Sequence, residues 1–297
     1  MESDIRLTIF TPTYNRAHTL TRLYESLCNQ TCNRFEWLII DDGSTDGTGE
    51  LIEKFKKENK IRTSYVWKEN GGLYTGYNKA YELIETELNV CVDSDDYMPE
   101  TAVELILNKW EKEGSSSYAG IVGLDFYAGT DIPIGGYFPA NMHDCFFLYL
   151  YIKKIHKADS KYVLRTDLMK KVAPQVGFEG EKNFNPVFMQ LKVCDQYPLL
   201  VLNENLCFVD YQQNGMAKNI YRQYFDSPRS FAKTRLLEMG LKRNTWLNKY
   251  RCAVHYVSSK MIAKDEIFTN ENNHQFLTFL ALLPGIIWWR YIVHKNR

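Results

Sequence analysis

Val90-Cys91-Val92-Asp93-Ser94-Asp95-Asp96-Tyr97-Met98-Pro99 is a short apolar run that ends in three carboxylates, with a proline behind them. The apolar part has the length and composition of a buried strand, and Pro99 suits the first turn of a following helix. Three acids at one strand end repel each other, so a fold that gathers them needs a cation or polar ligand to balance them. Alternate residues of a strand point the same way, so Asp93 and Asp95 are expected to converge while Ser94 faces away. An oxygen-only pair of this kind suits Mg²⁺ or Mn²⁺ shared with phosphate oxygens. A plain acidic strand-to-helix loop with Asp96 as a cap accounts for the same residues, and the stretch alone does not separate the two readings.

The sequence upstream separates them. Ile5 to Thr11 reads as a buried strand broken by Pro12-Thr13-Tyr14-Asn15-Arg16. In the following helix, from about Ala17 to Asn29, Leu20, Leu23, Tyr24, Leu27 and Cys28 share one face. Phe35 to Ile40 is a second strand, closed by Asp41-Asp42-Gly43-Ser44-Thr45-Asp46-Gly47 and followed by a helix with Leu51, Ile52 and Phe55 inward. Ile61 to Trp67 is a third strand, Asn70-Gly71-Gly72 a turn, and Tyr74 to Glu85 a helix leading back to Val90. This alternation predicts an α/β protein with a mostly parallel sheet covered by helices. Ligands of such sheets bind outside the carboxyl ends of the strands. The loops there are 12–16, 41–47, 68–72 and 93–98, which carry carboxylates, amides, glycines and an aromatic ring. A nucleotide site explains that convergence.

Composition sets the outer bounds. With 36 basic and 36 acidic residues among 297, the chain lacks the electrostatic footprint of a general nucleic-acid binder. Its seven cysteines are scattered without a C-x-x-C pair, which indicates neither a zinc site nor a disulfide framework. Met1-Glu2-Ser3-Asp4 runs straight into a strand pattern rather than a signal peptide, so a reduced, cytoplasmic setting is expected. Further on, Ile121 to Phe126 and Lys161 to Arg165 read as extended, Phe146 to Lys153 as strand or helix, and Ser230 to Lys264 as helical.

Four motifs in order, Thr11-Pro12-Thr13-Tyr14-Asn15-Arg16, Ile40-Asp41-Asp42-Gly43-Ser44-Thr45-Asp46, Asn70-Gly71-Gly72 followed by Asn78, and Asp93-Ser94-Asp95-Asp96, resemble the inverting family 2 glycosyltransferases of the GT-A fold. The resemblance covers about the first 125 residues well and extends loosely to about 216. It implies a GT-A catalytic domain over 1–216, with a nucleotide-sugar half (1–125) and an acceptor half (126–216), and a helical extension over 217–297. It implies transfer from a UDP-sugar to a hydroxyl of a glycan or lipid-linked acceptor, with Mg²⁺ or Mn²⁺ as cofactor, in the synthesis of a bacterial surface polysaccharide. By the same resemblance, Pro12 and Tyr14 would lie against the base and Asp42 would accept the uracil N3–H. Asn70 and Gly71 would meet the sugar and diphosphate, Asp93 the ribose or metal, and Asp95 the metal. For Asp46 the reading from the residues is a helix cap.

Inversion needs a carboxylate base on the acceptor side. The family places it in an acidic pair at a helix start; here Phe178-Glu179-Gly180-Glu181-Lys182 stands in that place, with Glu181 the first choice and Glu179 the second. Tyr211-Gln212-Gln213-Asn214-Gly215-Met216 resembles the family's loop over the donor, and Arg222 would reach the diphosphate. Two rivals are a catalytically inactive GT-A domain that binds a glycan or partner, and a sugar-phosphate nucleotidyltransferase. The latter calls for a glycine-rich basic loop after the first strand, which Pro12 to Arg16 does not supply. Finally, Phe276 to Trp289 is too short and too broken by Pro284-Gly285 to span a bilayer; as a core helix it would be unusually apolar all round, and the Trp-Trp-Arg-Tyr belt and basic end suit an interfacial anchor better. Residues 276–297 are therefore expected to touch the cytoplasmic face of a membrane.

Overall fold

The computed structural model describes residues 4–153, 155–156, 159–210 and 220–296. The chain opens with β1 (Leu7–Thr13), α1 (Ala17–Cys28), β2 (Phe35–Asp41), α2 (Thr48–Glu58), β3 (Thr63–Trp67), α3 (Leu73–Leu83), β4 (Leu88–Cys91) and α4 (Ala102–Glu113). It continues with β5 (Gly120–Tyr127), β6 (Asp144–Cys145), α5 (Phe147–Ile152), β7 (Ser160–Arg165), α6 (Thr166–Val172), α7 (Val187–Cys194) and β8 (Leu199–Val209). Helices α8 (Ile220–Asp226), α9 (Pro228–Gly240), α10 (Trp246–Ala263), α11 (Gln275–Leu280) and α12 (Leu282–Lys295) follow. The 146–153 stretch, open between strand and helix in the sequence, is the helix α5.

The strands form one sheet in the order β3-β2-β1-β4-β7-β5-β8-β6. β3, β2, β1 and β4 are parallel to one another; β7 runs antiparallel between β4 and β5, β8 lies parallel to β5, and β6 is antiparallel to β8. The chain leaves β1 toward β2 and β3 and then returns to β4 on the other side, so the direction of winding reverses beside β1. A crevice opens at the carboxyl ends of the strands at such a reversal.

Alternation along β1 explains how the sheet is covered twice. Leu7 and Ile9 join Leu20, Leu23 and Leu27 of α1, Ile52 of α2 and Ile106 of α4 in one core. Phe10, on the other side of the strand, meets the rings of Tyr77 and Tyr81 on α3 at 5.1 and 5.7 Å. The helical periodicity of Leu20 to Leu27 buries the residues that the sequence assigned to the core.

Contacts divide the described chain into two units, 4–174 with 192–210 and 175–191 with 220–296. Residues 175–191, expected in the acceptor half, thus group with the C-terminal helices. The reason is local bonding: Asn183 N–H donates to Ser227 Oγ (3.1 Å), and Glu181 receives two amides from α9. The second unit has its own core of Met239, Cys252, Ala253, Tyr256, Val257 and Ala281. Among the described residues no helix is long and apolar enough to cross a membrane.

Candidate active site

The loops after β1 and β2 are fastened to each other. Asn15 adopts φ +52°, a left-handed conformation that asparagine tolerates. Its N–H donates to Ser44 Oγ and its Oδ1 accepts from Thr45 N–H, both at 2.8 Å. The adjacent Tyr14 is left half exposed as a flat apolar surface beside the strand ends. Asp41 holds the same corner, accepting from Ser44 N–H (2.8 Å) and Tyr65 O–H (2.7 Å). Asp46 accepts from the amides of Ala17 and Thr48, at the starts of α1 and α2, while the N-cap position of α2 itself falls on Gly47.

Asp42 builds the third loop. Its Oδ1 accepts from Gly71 N–H (3.0 Å) and the Lys68 ammonium, and its Oδ2 accepts from Gly72 N–H (2.9 Å). Its carbonyl accepts from Asn70 Nδ2 at 2.8 Å. The approach is close because Gly43, at φ +90°, has no side chain; a Cβ there would lie 3.0 Å from Asn70 N. A charged, buried carboxylate with this many donors fixes the backbone of 68–72 against the end of β2.

The acidic loop departs from the expected strand geometry. β4 ends at Cys91, and Asp93 to Asp96 form a turn closed by Asp96 N–H donating to the Asp93 carbonyl (3.0 Å). Asp93 and Asp95 are therefore not brought together by strand alternation. The turn still leaves Asp93 exposed and Asp95 part-exposed while Ser94 is buried. Burial, and next the Asp93 charge, push the Asp95 carboxyl above its usual range. A part-buried carboxylate beside a second one that is open to solvent fits a divalent cation that takes its remaining ligands from a diphosphate. Among the described residues no group of three or more His, Cys, Asp or Glu side chains is gathered for a metal, so Asp93 and Asp95 would need those phosphate oxygens.

Four further residues support this loop. Arg22 of α1 donates to the Asp95 carbonyl and pairs with Asp210 at 2.9 Å, its guanidinium 5.0 Å from the Tyr97 ring centre. Below them Asp96 is buried, with Oδ1 accepting from Asp210 N–H (3.2 Å) and Oδ2 3.9 Å from Lys161 Nζ. Lys161, also buried, lies 3.8 Å from Asp125. Burial pushes the Asp96 carboxyl up to about 7 and that of Asp125 to about 6, with Lys161 pulling both back. Sequence reasoning missed Arg22, Asp125, Lys161 and Asp210; the available signal was Asp125, a lone charge inside the apolar run Ile121 to Phe126.

The remaining candidates lie in the second unit. Glu181 is buried, and its two carboxylate oxygens accept from Arg229 N–H (2.9 Å) and Ser230 N–H (2.8 Å) in the first turn of α9. Glu179 is exposed. Arg222, on α8, pairs with Asp226 at 2.8 Å. The loop 211–216 lies outside the described residues.

The profile of Glycosyl transferase family 2 matches residues 8–162, just over half of the chain. The chain belongs to that family. The family 2 match runs from β1 into β7 and so contains Tyr14, Asp42, Asn70, Asp93, Asp95 and Lys161, but neither Glu179, Glu181 nor Arg222. Sequence relatives include a chondroitin synthase of Pasteurella multocida strain Pm70, 37% identical over 107 residues that cover 36% of this chain and 11% of that one. Another is the glycosyltransferase GlyA of Streptococcus pneumoniae serotype 4, 28% identical over 146 residues, 49% of this chain and 19% of that one. The matched stretch thus spans less than a fifth of either relative. Among solved structures, Staphylococcus aureus TarS 1–349 in complex with UDP-GlcNAc superposes with a TM-score of 0.62 at 19% identity, covering 95% of this chain and 80% of that one. The mannosyltransferase PcManGT of Pyrobaculum calidifontis, in complex with GDP-Man and Mn²⁺, gives 0.57 at 15% identity over 97% and 84%. The fold shared with them is GT-A.

Proposed function

We propose that this chain transfers a sugar from a UDP-sugar to a hydroxyl of a glycan or lipid-linked acceptor, with inversion and with Mg²⁺ or Mn²⁺ as cofactor. The observation that carries the reading is the convergence, at the winding reversal beside β1, of Tyr14, the turn 68–72 built on Asp42, and the Asp93–Asp96 turn. Relatives named for polysaccharide synthesis, such as the chondroitin synthase, support surface-polysaccharide assembly as the setting. Residues 276–297 would hold the activity at the cytoplasmic face of a membrane.

In this reading Tyr14 and Pro12 face the uracil. Asp42 Oδ2, which accepts one bond among the described residues, takes the uracil N3–H; a cytosine has no proton there. The amides of 70–72 stand beside the sugar and diphosphate, and Asp93 and Asp95 hold the cation. When bound, a divalent cation offsets the charge that develops on the diphosphate as the bond from the sugar carbon to oxygen breaks. The acceptor oxygen forms the new bond on the opposite face, and its proton passes to a carboxylate of the 179–181 segment. By the resemblance, Arg222 would meet the diphosphate.

The test is metal-dependent turnover of a panel of UDP-sugars. Asp95→Asn, which removes charge but little volume, is expected to cost at least about 10²-fold in rate and to weaken the dependence of UDP binding on Mn²⁺ measured by calorimetry. Full activity of that variant in chelator would overturn the metal assignment. The commitment of Glu181 to α9 favours one second reading, a domain that binds a UDP-sugar without transferring it. Calorimetric UDP binding without metal-dependent UDP release would select that reading.

A further inference from the structure

The outward side of the second unit is apolar where a water-facing helix would be polar. Along α11 and α12, Leu277, Ala281, Gly285 and Ile292 are buried, which fixes the inward stripe. The opposite stripe carries Phe276, Phe279, Leu283 and Ile287, each at least 62% exposed. Two more large apolar side chains, Trp246 and Leu247, project from the first turn of α10 and are 65% and 72% exposed. They continue the same face: Trp246 stacks on Tyr250 with ring centres 5.7 Å apart, and the Tyr250 hydroxyl reaches the Leu280 carbonyl at 3.4 Å. An exposed apolar patch of this extent marks a docking surface.

Charge says what docks there. Although the chain as a whole is neutral, the segment between Glu238 and Asp265 holds six Lys or Arg and no acid. Beyond Glu271 there are three more and again no acid. Lys242 and Arg243 precede Trp246 by four and three residues, while Arg290 and Lys295 follow Ile287 by about one and two turns. A second copy of the chain would set basic rim against basic rim, which is unfavourable. An aromatic and aliphatic face carried on segments whose only charged residues are cations matches an anionic lipid surface.

We infer that the second unit docks on an anionic lipid surface through one continuous face, formed by the outward stripe of α11 and α12 together with Trp246 and Leu247 of α10. The inference rests on the membrane contact read for 276–297 and adds to it the α10 residues and the lipid class. The full chain is tested by co-sedimentation with vesicles of phosphatidylcholine alone and of phosphatidylcholine with phosphatidylglycerol. Binding at least about tenfold tighter to the anionic vesicles is expected, released by high salt. Trp246→Ala/Leu247→Ala and, separately, Leu283→Gln/Ile287→Gln should each weaken it about tenfold or more, because each pair removes two apolar side chains from the interface. Hydrolysis of a UDP-sugar, measured on the same preparations, should stay at the wild-type level in both variants, so failure of the lipid reading and failure of the enzyme reading are distinguishable. Equal binding to both vesicles, with the Trp246/Leu247 variant unchanged, overturns the inference while leaving the narrower 276–297 contact standing. Absence of vesicle binding overturns both. A dimer in sedimentation equilibrium that Leu283→Gln/Ile287→Gln dissolves assigns the face to a second copy and overturns the inference as well.

Discussion

At the scale of single residues, Asp42 and Glu181 show what a sequence gives and withholds. Both are legible in the sequence as acids in loops. Neither could be seen as a hub of backbone hydrogen bonds, because the donors are supplied by segments that only folding brings near: Gly71 and Gly72 in one case, Arg229 and Ser230 in the other. For Glu181 the partners decide a prediction. A carboxylate that takes two amides at a helix start stabilises the helix by about 1–2 kcal/mol. Glu181→Gln keeps one acceptor oxygen and is expected to lower the melting midpoint while leaving UDP affinity, measured by calorimetry, unchanged. Glu179→Gln, at an exposed position, should leave the midpoint alone and cost about 10²- to 10⁴-fold in transfer rate if Glu179 is the base. An unchanged midpoint together with lost transfer in Glu181→Gln would instead return the base to Glu181. Arg22 and Lys161 were invisible for the same reason as those amides: their meaning lies in Asp95, Asp96 and Asp125, far along the chain.

At the scale of elements, periodicity was the dependable signal and strand ends were not. The 3.6-residue pattern of α1 and the apolar runs of β1 and β2 were read correctly because each buries its own regular face. The convergence expected of Asp93 and Asp95 assumes strand alternation beyond Val92, yet β4 pairs with β1 only to Cys91 and with β7 only to Val90, and Asp93 starts a turn. Pro284-Gly285 was read as a break. Instead Pro284 falls in the first turn of α12, where its missing N–H costs little. Gly285 is there for packing: a Cβ at that position would lie 2.6 Å from Val257 Cβ and Cγ1 on α10. Gly285→Ala gains roughly 1 kcal/mol of helix propensity but overpacks a contact that cannot open freely, at about 1–3 kcal/mol. A net loss of stability is therefore expected, read as a lower midpoint in urea unfolding. A gain would mean that α10 and α12 can separate at no cost.

At the scale of the whole chain, the formal balance of 36 positive and 36 negative residues conceals buried titrations of opposite sign, of which Asp96 and His255 are examples. In the first unit the Asp96 carboxyl is raised by burial to about 7, so the folded state holds its proton where the unfolded chain has lost it. Its contribution to stability is present at low pH and falls as pH rises from about 4 toward 7. In the second unit His255 is lowered to about 3, first by burial and then by the charges of Arg235 and Arg251. There the unfolded chain takes up the proton first, so this contribution is present above about 6.5 and falls as pH drops toward 3. The composition could show neither effect, since both depend on which groups lose their water. Urea unfolding in chelator from pH 4.5 to 8 checks the signs. Relative to wild type, Asp96→Asn is expected to become more stable as pH rises, and His255→Gln as pH falls, the latter by about 1–2 kcal/mol at pH 5. Curves that stay parallel to wild type in either variant would show that the group concerned keeps its ordinary proton affinity in the folded protein.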